Sequence, residues 1–204
     1  MLNDMTISLI KKGDFHQINL EKHNTQPLDI CVNLNWNRHN ARTGFISSLF
    51  GINKAPDLDL GCMYETTNGV KGVIQALGNS FGAKDAFPFI WLDKDDRTGA
   101  ASDGENITVY RPEMIKRIVF FAFIYEGAKD FQSFGGRMSF DISNGEKVFL
   151  ELNNPDRNST FCAAATIINR GSNVKITKEE RYFKNHISAD KYYKFGFNWK
   201  FGSK

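Results

Sequence analysis

Short apolar runs, separated by turn-forming residues, recur along the whole chain and leave little room for anything but a β architecture. They fall at 6–9, 15–20, 29–36, 58–65, 70–76, 89–92, 106–110, 117–123, 138–141, 147–152, 160–169, 173–178 and 193–201. The last alternates clearly, with Phe195, Phe197, Trp199 and Phe201 on one face and Lys194, Gly196, Asn198 and Lys200 on the other. Turn signals separate the runs: Asn68-Gly69, Asn144-Gly145, Asn153-Asn154-Pro155-Asp156 and Arg170-Gly171-Ser172-Asn173. Asn144-Gly145 reads as a hairpin turn. The pattern predicts an all-β, two-sheet antiparallel β-sandwich with little helix. No helix of three turns is expected; a single turn is expected at 112–116, where Pro112 suits a first helical position. Eighteen phenylalanines add to the β bias, because aromatic side chains suit pleated surfaces.

A chain of 204 residues fits one domain, 1–204, with a core large enough to need no staples. Two departures are expected within it. Segment 38–56, RHNARTGFISSLFGINKAP, interrupts two strand-like runs and carries Phe45, Ile46, Leu49 and Phe50 at helix-like spacing. It reads as an excursion loop, either tucked onto the sandwich edge or presenting a docking or membrane-touching patch. Residues 175–204 read as a basic, aromatic C-terminal extension containing the last strand. Lys175, Lys178, Arg181, Lys184, Lys191, Lys194, Lys200 and Lys204 there face only Glu179, Glu180 and Asp190.

Cys31, Cys62 and Cys162 are far apart, odd in number and form no CxxC pair. They predict buried, reduced thiols rather than disulfides or a zinc knuckle. The N-terminal MLNDMTISLIKKGDF lacks a secretory h-region, and no run reaches the length of a membrane span. A cytoplasmic location is expected.

The strongest chemical signal is acidic. Asp93, Asp95, Asp96, Asp103 and Glu105 crowd one loop between strand-like FPFIWL and NITVY. Like charges held this close repel by roughly 1–4 kcal/mol per pair. A hard divalent cation relieves that repulsion, and calcium takes six to eight oxygen ligands of this kind. The spacing is not that of an EF-hand. With Asp93 at position 1, position 5 is Arg97, position 6 is Thr98 and position 12 is Gly104. In Asp57-Leu58-Asp59 a period of two puts both carboxylates on one strand face, where they can supply a second wall. The plainer alternative is a solvated acidic loop with Arg97 as internal counter-ion.

His16, His23, His39 and His186 stand isolated, and no HExxH, GxSxG or Walker pattern occurs. They read as surface or capping residues. Paired aspartates also suit acid–base work in glycoside hydrolysis, but five carboxylates in one loop fit ion binding better than two tuned groups. Tyr182, Phe183, Tyr192 and Tyr193 lie among basic residues, as stacking platforms for nucleic acid do. Strand alternation already accounts for them, so no nucleic-acid partner is expected.

At these residues the chain resembles the TerD family of tellurium-resistance proteins. The matching pieces run in family order: Ser8-Leu9, Lys12-Gly13 and Ile18-Asn19-Leu20; Leu34-Asn35-Trp36; Asp57-Leu58-Asp59; Asp96-Arg97-Thr98-Gly99 with Asp103-Gly104-Glu105; and IVFFAFIYEGAKDF. GFISSLFGINKAPDLDLGC, LGNSFG, FIWLDKDDRTG and YYKFGFNWKFGSK are similar to its TerA branch. The resemblance implies a β-sandwich with adjacent calcium sites at one end. It implies metal ligands at Asp57, Asp59, Asp93, Asp95, Asp96, Asp103 and Glu105, at Glu126 after the apolar strand, and more weakly at Asp130. It also implies a non-enzymatic stress-response module, in resistance to tellurite and other toxic oxyanions or in phage defence, with other tellurium-resistance proteins and membrane-associated assemblies as partners. The basic, aromatic ending departs from the glycine-rich, apolar end of the commoner TerD-type proteins. A calcium-dependent membrane-surface module and a metal-dependent hydrolase are the competing functional expectations.

Overall fold

Alternation along the runs decides which side chains face inward, and pairing of the runs produces two sheets. The computed structural model describes residues 5–21, 28–37, 57–94, 104–126 and 130–200. Its strands are β1 (Met5–Ser8), β2 (Phe15–Asn19), β3 (Ile30–Asn35), β4 (Asp57–Thr66), β5 (Lys71–Gln75), β6 (Gly82–Ala83), β7 (Ile90–Leu92), β8 (Glu105–Val109), β9 (Ile115–Glu126), β10 (Gly136–Ile142), β11 (Glu146–Leu152), β12 (Phe161–Asn169) and β13 (Asn173–Phe183). A helix, α1 (His186–Tyr193), follows. The first sheet has the order β1-β11-β10-β3-β8-β7-β6 and the second β2-β13-β12-β9-β4-β5. The pairings are antiparallel except β1 with β11. The expected sandwich is therefore present, as are the Asn144-Gly145 hairpin joining β10 to β11 and a single helical turn at Pro112–Met114. Segment 38–56 lies outside the described residues.

The inter-sheet core takes Ile30, Val32, Leu34, Met138 and Phe140 from the first sheet and Leu58, Leu60, Phe120, Ala122 and Ile176 from the second. β10 alternates strictly between buried and half-buried, so the first sheet buries one face. The second sheet buries both: every residue of β4 is buried. Its outer face carries Met63, Val119, Phe121, Phe161 and Ala163, covered by Ala189 and Phe195 with half-buried Phe183, Tyr193, Phe197 and Trp199.

This cover corrects the expected final strand at 193–201. Tyr193 closes α1, Lys194 takes the left-handed conformation (φ 58°), and the residues up to Lys200 form no strand. Asn185 starts the helix through a reciprocal capping box with Ser188. Buried Asp190 then accepts the N–H groups of Gly196 and Phe197 at 2.8 Å and the Trp199 indole N–H at 2.9 Å. A side-chain carboxylate thus takes donors that a strand would give to a neighbour. The aromatic alternation marks a tail lying on a sheet face, with Phe195 and Phe197 stacked at 5.5 Å.

Arg117 holds the tail from beneath. Its guanidinium lies 4.1 Å from the Phe195 ring, donates to the Tyr193 carbonyl at 2.7 Å and pairs with Glu65 at 2.7 Å. The Lys116 hydrogen bond, joined by that of Arg117, holds the Glu65 carboxyl below its usual range. Residues 175–183 belong to β13, between β12 and β2, and Lys178 among them is buried, donating to the Ile10 carbonyl at 2.9 Å. The three cysteines are free, with Cys62 and Cys162 buried and their thiols pushed up by desolvation.

Gly61 allows β4 to pass the Phe121 ring, which a Cβ there would overlap. Gly61→Ala is expected to lower the melting midpoint by about 2–10 °C through overpacking, measured by calorimetry.

Candidate functional site

β4 and β8, from different sheets, meet at the acidic end of the sandwich. Alternation along β4 sends Leu58, Leu60, Cys62 and Tyr64 into the inter-sheet core, so Asp59 shares the other face with Met63. Asp57 precedes a register irregularity against β9 and pairs with Glu126. Both aspartates are only 2% exposed. Glu105 opens β8 and is fully buried. Gly104 before it has φ 64°, and a Cβ would overlap the Leu34 carbonyl, so the turn that delivers Glu105 inward requires glycine.

Glu105 reaches across to the second sheet. The β4–β5 ladder ends at Gly61 opposite Gln75, and the next N–H along β4, that of Leu60, donates to Oε2 of Glu105 at 2.6 Å. A carboxylate of the first sheet therefore caps a backbone donor of the second, within a region that also buries Asp57 and Asp59.

Asp93 goes elsewhere. Its two carboxylate oxygens accept the Asn106 backbone N–H at 3.1 Å and the Asn106 side-chain amide at 2.9 Å, and its own N–H donates to the Asn106 carbonyl. Asn106 alternates with buried Glu105 and Ile107, so its side chain is on the outer face, where it also accepts from Asn33 at 2.8 Å. Asp93 and Glu105 thus lie on opposite faces of the first sheet. Asp95, Asp96 and Asp103 lie outside the described residues, as does the side chain of Glu126. Asp130 accepts the Ser133 N–H at 2.7 Å and its hydroxyl at 2.5 Å, capping the turn at Gln132–Phe134.

Among the described residues no three acidic, histidine or cysteine side chains form a metal-holding group. Asp57, Asp59 and Glu105 nonetheless offer only hard oxygen donors, with no thiol or imidazole, which is the donor chemistry calcium uses. Asp59 lies on the outer face of β4 and Glu105 faces inward from β8, so among the described residues the three are not brought together into one ligand set.

His186 corrects the expectation of a surface histidine. Its ring packs against Phe121, Phe123, Phe161 and Trp199 at 4.6–5.3 Å between centroids. Burial pushes its pKa down to about 4. His16 pairs with Glu146 at 2.5 Å, and His23 and His39 lie outside the described residues. The Asn185–Ser188 spacing was the available sequence signal for the helix that carries His186. No helix among the described residues is long and apolar enough to cross a membrane.

A two-sheet sandwich with buried carboxylates gathered at one end is the class these features define. No protein-family model matches the chain. The tellurium resistance protein TerA of Alcaligenes sp is 34% identical over 200 residues, covering 97% of this chain and 56% of that protein. The tellurium resistance protein TerX of Serratia marcescens is 28% identical over 150 residues, covering 64% of this chain and 68% of that protein. The chain belongs to the tellurium resistance protein family, and it spans little more than half the length of the TerA relative.

Two measurements test this geometry. Glu105→Ala strands the Leu60 N–H and should cost about 1–3 kcal/mol in urea unfolding, while Glu105→Gln keeps an acceptor and should cost less. The folded pKa of His186 lies below its unfolded value of 6.5, so its contribution to stability is complete above pH 6.5. It declines as pH falls from 6.5 toward about 4, because the unfolded state then binds the extra proton. His186→Phe should flatten that part of the stability–pH curve.

Proposed function

We propose that the chain is a calcium-binding, non-catalytic module of a tellurite or toxic-oxyanion stress response, with the ion joining the 93–105 loop to β4. The observation that carries this reading is the burial of Asp57, Asp59 and Glu105 where β4 meets β8, bridged by the Glu105–Leu60 hydrogen bond. Asp57, Asp59 and Glu105 flank a loop whose sequence also contains Asp95, Asp96 and Asp103, a concentration of carboxylates that a divalent cation would offset.

In this reading Asp57, Asp59 and Glu105 hold the ion from the sandwich side, with Asp95, Asp96, Asp103 and Glu126 as the remaining ligand candidates. Asp93, clamped by Asn106 on the outer face, anchors the base of the loop. Calcium supplies electrostatic cross-linking of segments that otherwise repel each other. The role in tellurium resistance is carried over from the names of the TerA and TerX relatives, as are other tellurium-resistance proteins as partners.

Calorimetric titration should show calcium binding, and a hundredfold excess over the dissociation constant should add about 2.7 kcal/mol of stability. For a chain of this size that raises the melting midpoint by about 5–10 °C. Asp59→Ala should remove most of the rise. Identical melting curves in calcium and in chelator would overturn the reading.

A further inference from the structure

The cover over the second sheet leaves a hollow of about 390 Å³ beside the start of α1. That volume is within the range of small-molecule sites. Phe123 and Tyr125 of β9 form its floor, and Ile187 and Trp199 rise beside them, with Asn185 and His186 at the helix start. The imidazole is neutral near pH 7, because burial disfavours its protonated form. Among the described lining residues Lys200 is the one charged side chain, and it is exposed.

Two further observations separate this hollow from ordinary packing. Nε2 of His186 and Oε1 of Gln75, both on lining residues, are buried without a hydrogen-bond partner. Native interiors rarely leave such atoms unsatisfied without a functional reason. The capping box satisfies the Ser188 N–H, whereas His186 and Ile187 stand at the first two helical positions, whose N–H groups have no intrahelical acceptor. The wall is thus aromatic and nearly neutral, with Lys200 and the start of α1 as its cationic and donor side and the Gln75 amide oxygen as an acceptor.

We propose that this pocket binds a small planar aromatic carboxylate, its ring against Phe123, Tyr125 and Trp199 and its carboxylate toward Lys200 and the first turn of α1. The rings supply stacking area, and the single ammonium selects one negative charge over none. The site does not depend on the calcium reading.

The test uses the intact chain and titration calorimetry with indole-3-acetate, its neutral analogue indole-3-acetamide, and decanoate. Indole-3-acetate should bind one to one with a dissociation constant of about 1 mM or tighter. The amide should bind about fivefold or more weakly, and Lys200→Glu should weaken the acid about tenfold. Ile187→Glu, a second exposed change at the mouth, should do the same; both variants should melt as the wild type does. Failure of indole-3-acetate to bind at several times that concentration overturns the proposal. Equal binding of the amide overturns the carboxylate preference, and tighter binding of decanoate overturns the aromatic class. Unchanged affinity in both variants overturns the placement.

Discussion

A sheet that is apolar on both faces must be covered twice, and this constraint organises the molecule. The first sheet covers one face of β4, β9 and β12; α1 and the aromatic tail cover the other. The tail can do so only because Asp190 collects its N–H groups and the Trp199 indole, and because Arg117 joins Phe195, Tyr193 and Glu65 in one cluster. Aromatic area supplies the stabilisation, and two polar anchors, buried Asp190 and half-buried Arg117, supply the direction. Without Asp190 the tail would carry unsatisfied backbone donors onto an apolar surface, at a cost comparable to the packing gained.

The acidic end follows from the same layering. β4 is central enough to be buried throughout, so the aspartates at its start are buried with it. Its partner β5 stops at Gln75, and the carboxylate of Glu105 occupies the place where a neighbouring strand would have been. A carboxylate side chain performs the work of a β-ladder there, and it ties the two sheets together where β4 meets β8.

Most of the sandwich was legible in the sequence because alternation reports directly on burial. The runs at 15–20, 58–65 and 147–152 returned as β2, β4 and β11 with shifts of about a residue or two at the ends. The alternation at 193–201 misled because a tail on a sheet face and a strand in a sheet bury every second residue alike. What separates them is the destination of the backbone donors, here Asp190, which no periodicity reveals. The same limit applies to the site. Asp57, Asp59 and Glu105 were legible as an acidic set, but residue types alone cannot say that Asp93 is turned outward by Asn106 while Glu105 is turned inward by Gly104. The setting of His186 was hidden for a similar reason: its aromatic neighbours come from β9, β12 and the tail, far apart in sequence.

The clamp at Asp93 and the bridge at Glu105 have a joint mechanical consequence. Consecutive residues of β8 fasten its start in two directions: Asn106 outward to Asp93 beyond the end of β7, and Glu105 inward to the Leu60 N–H of β4. The start of β8 is thus held by two separate ties, one within its own sheet and one to the sheet opposite, and loss of either leaves the other in place.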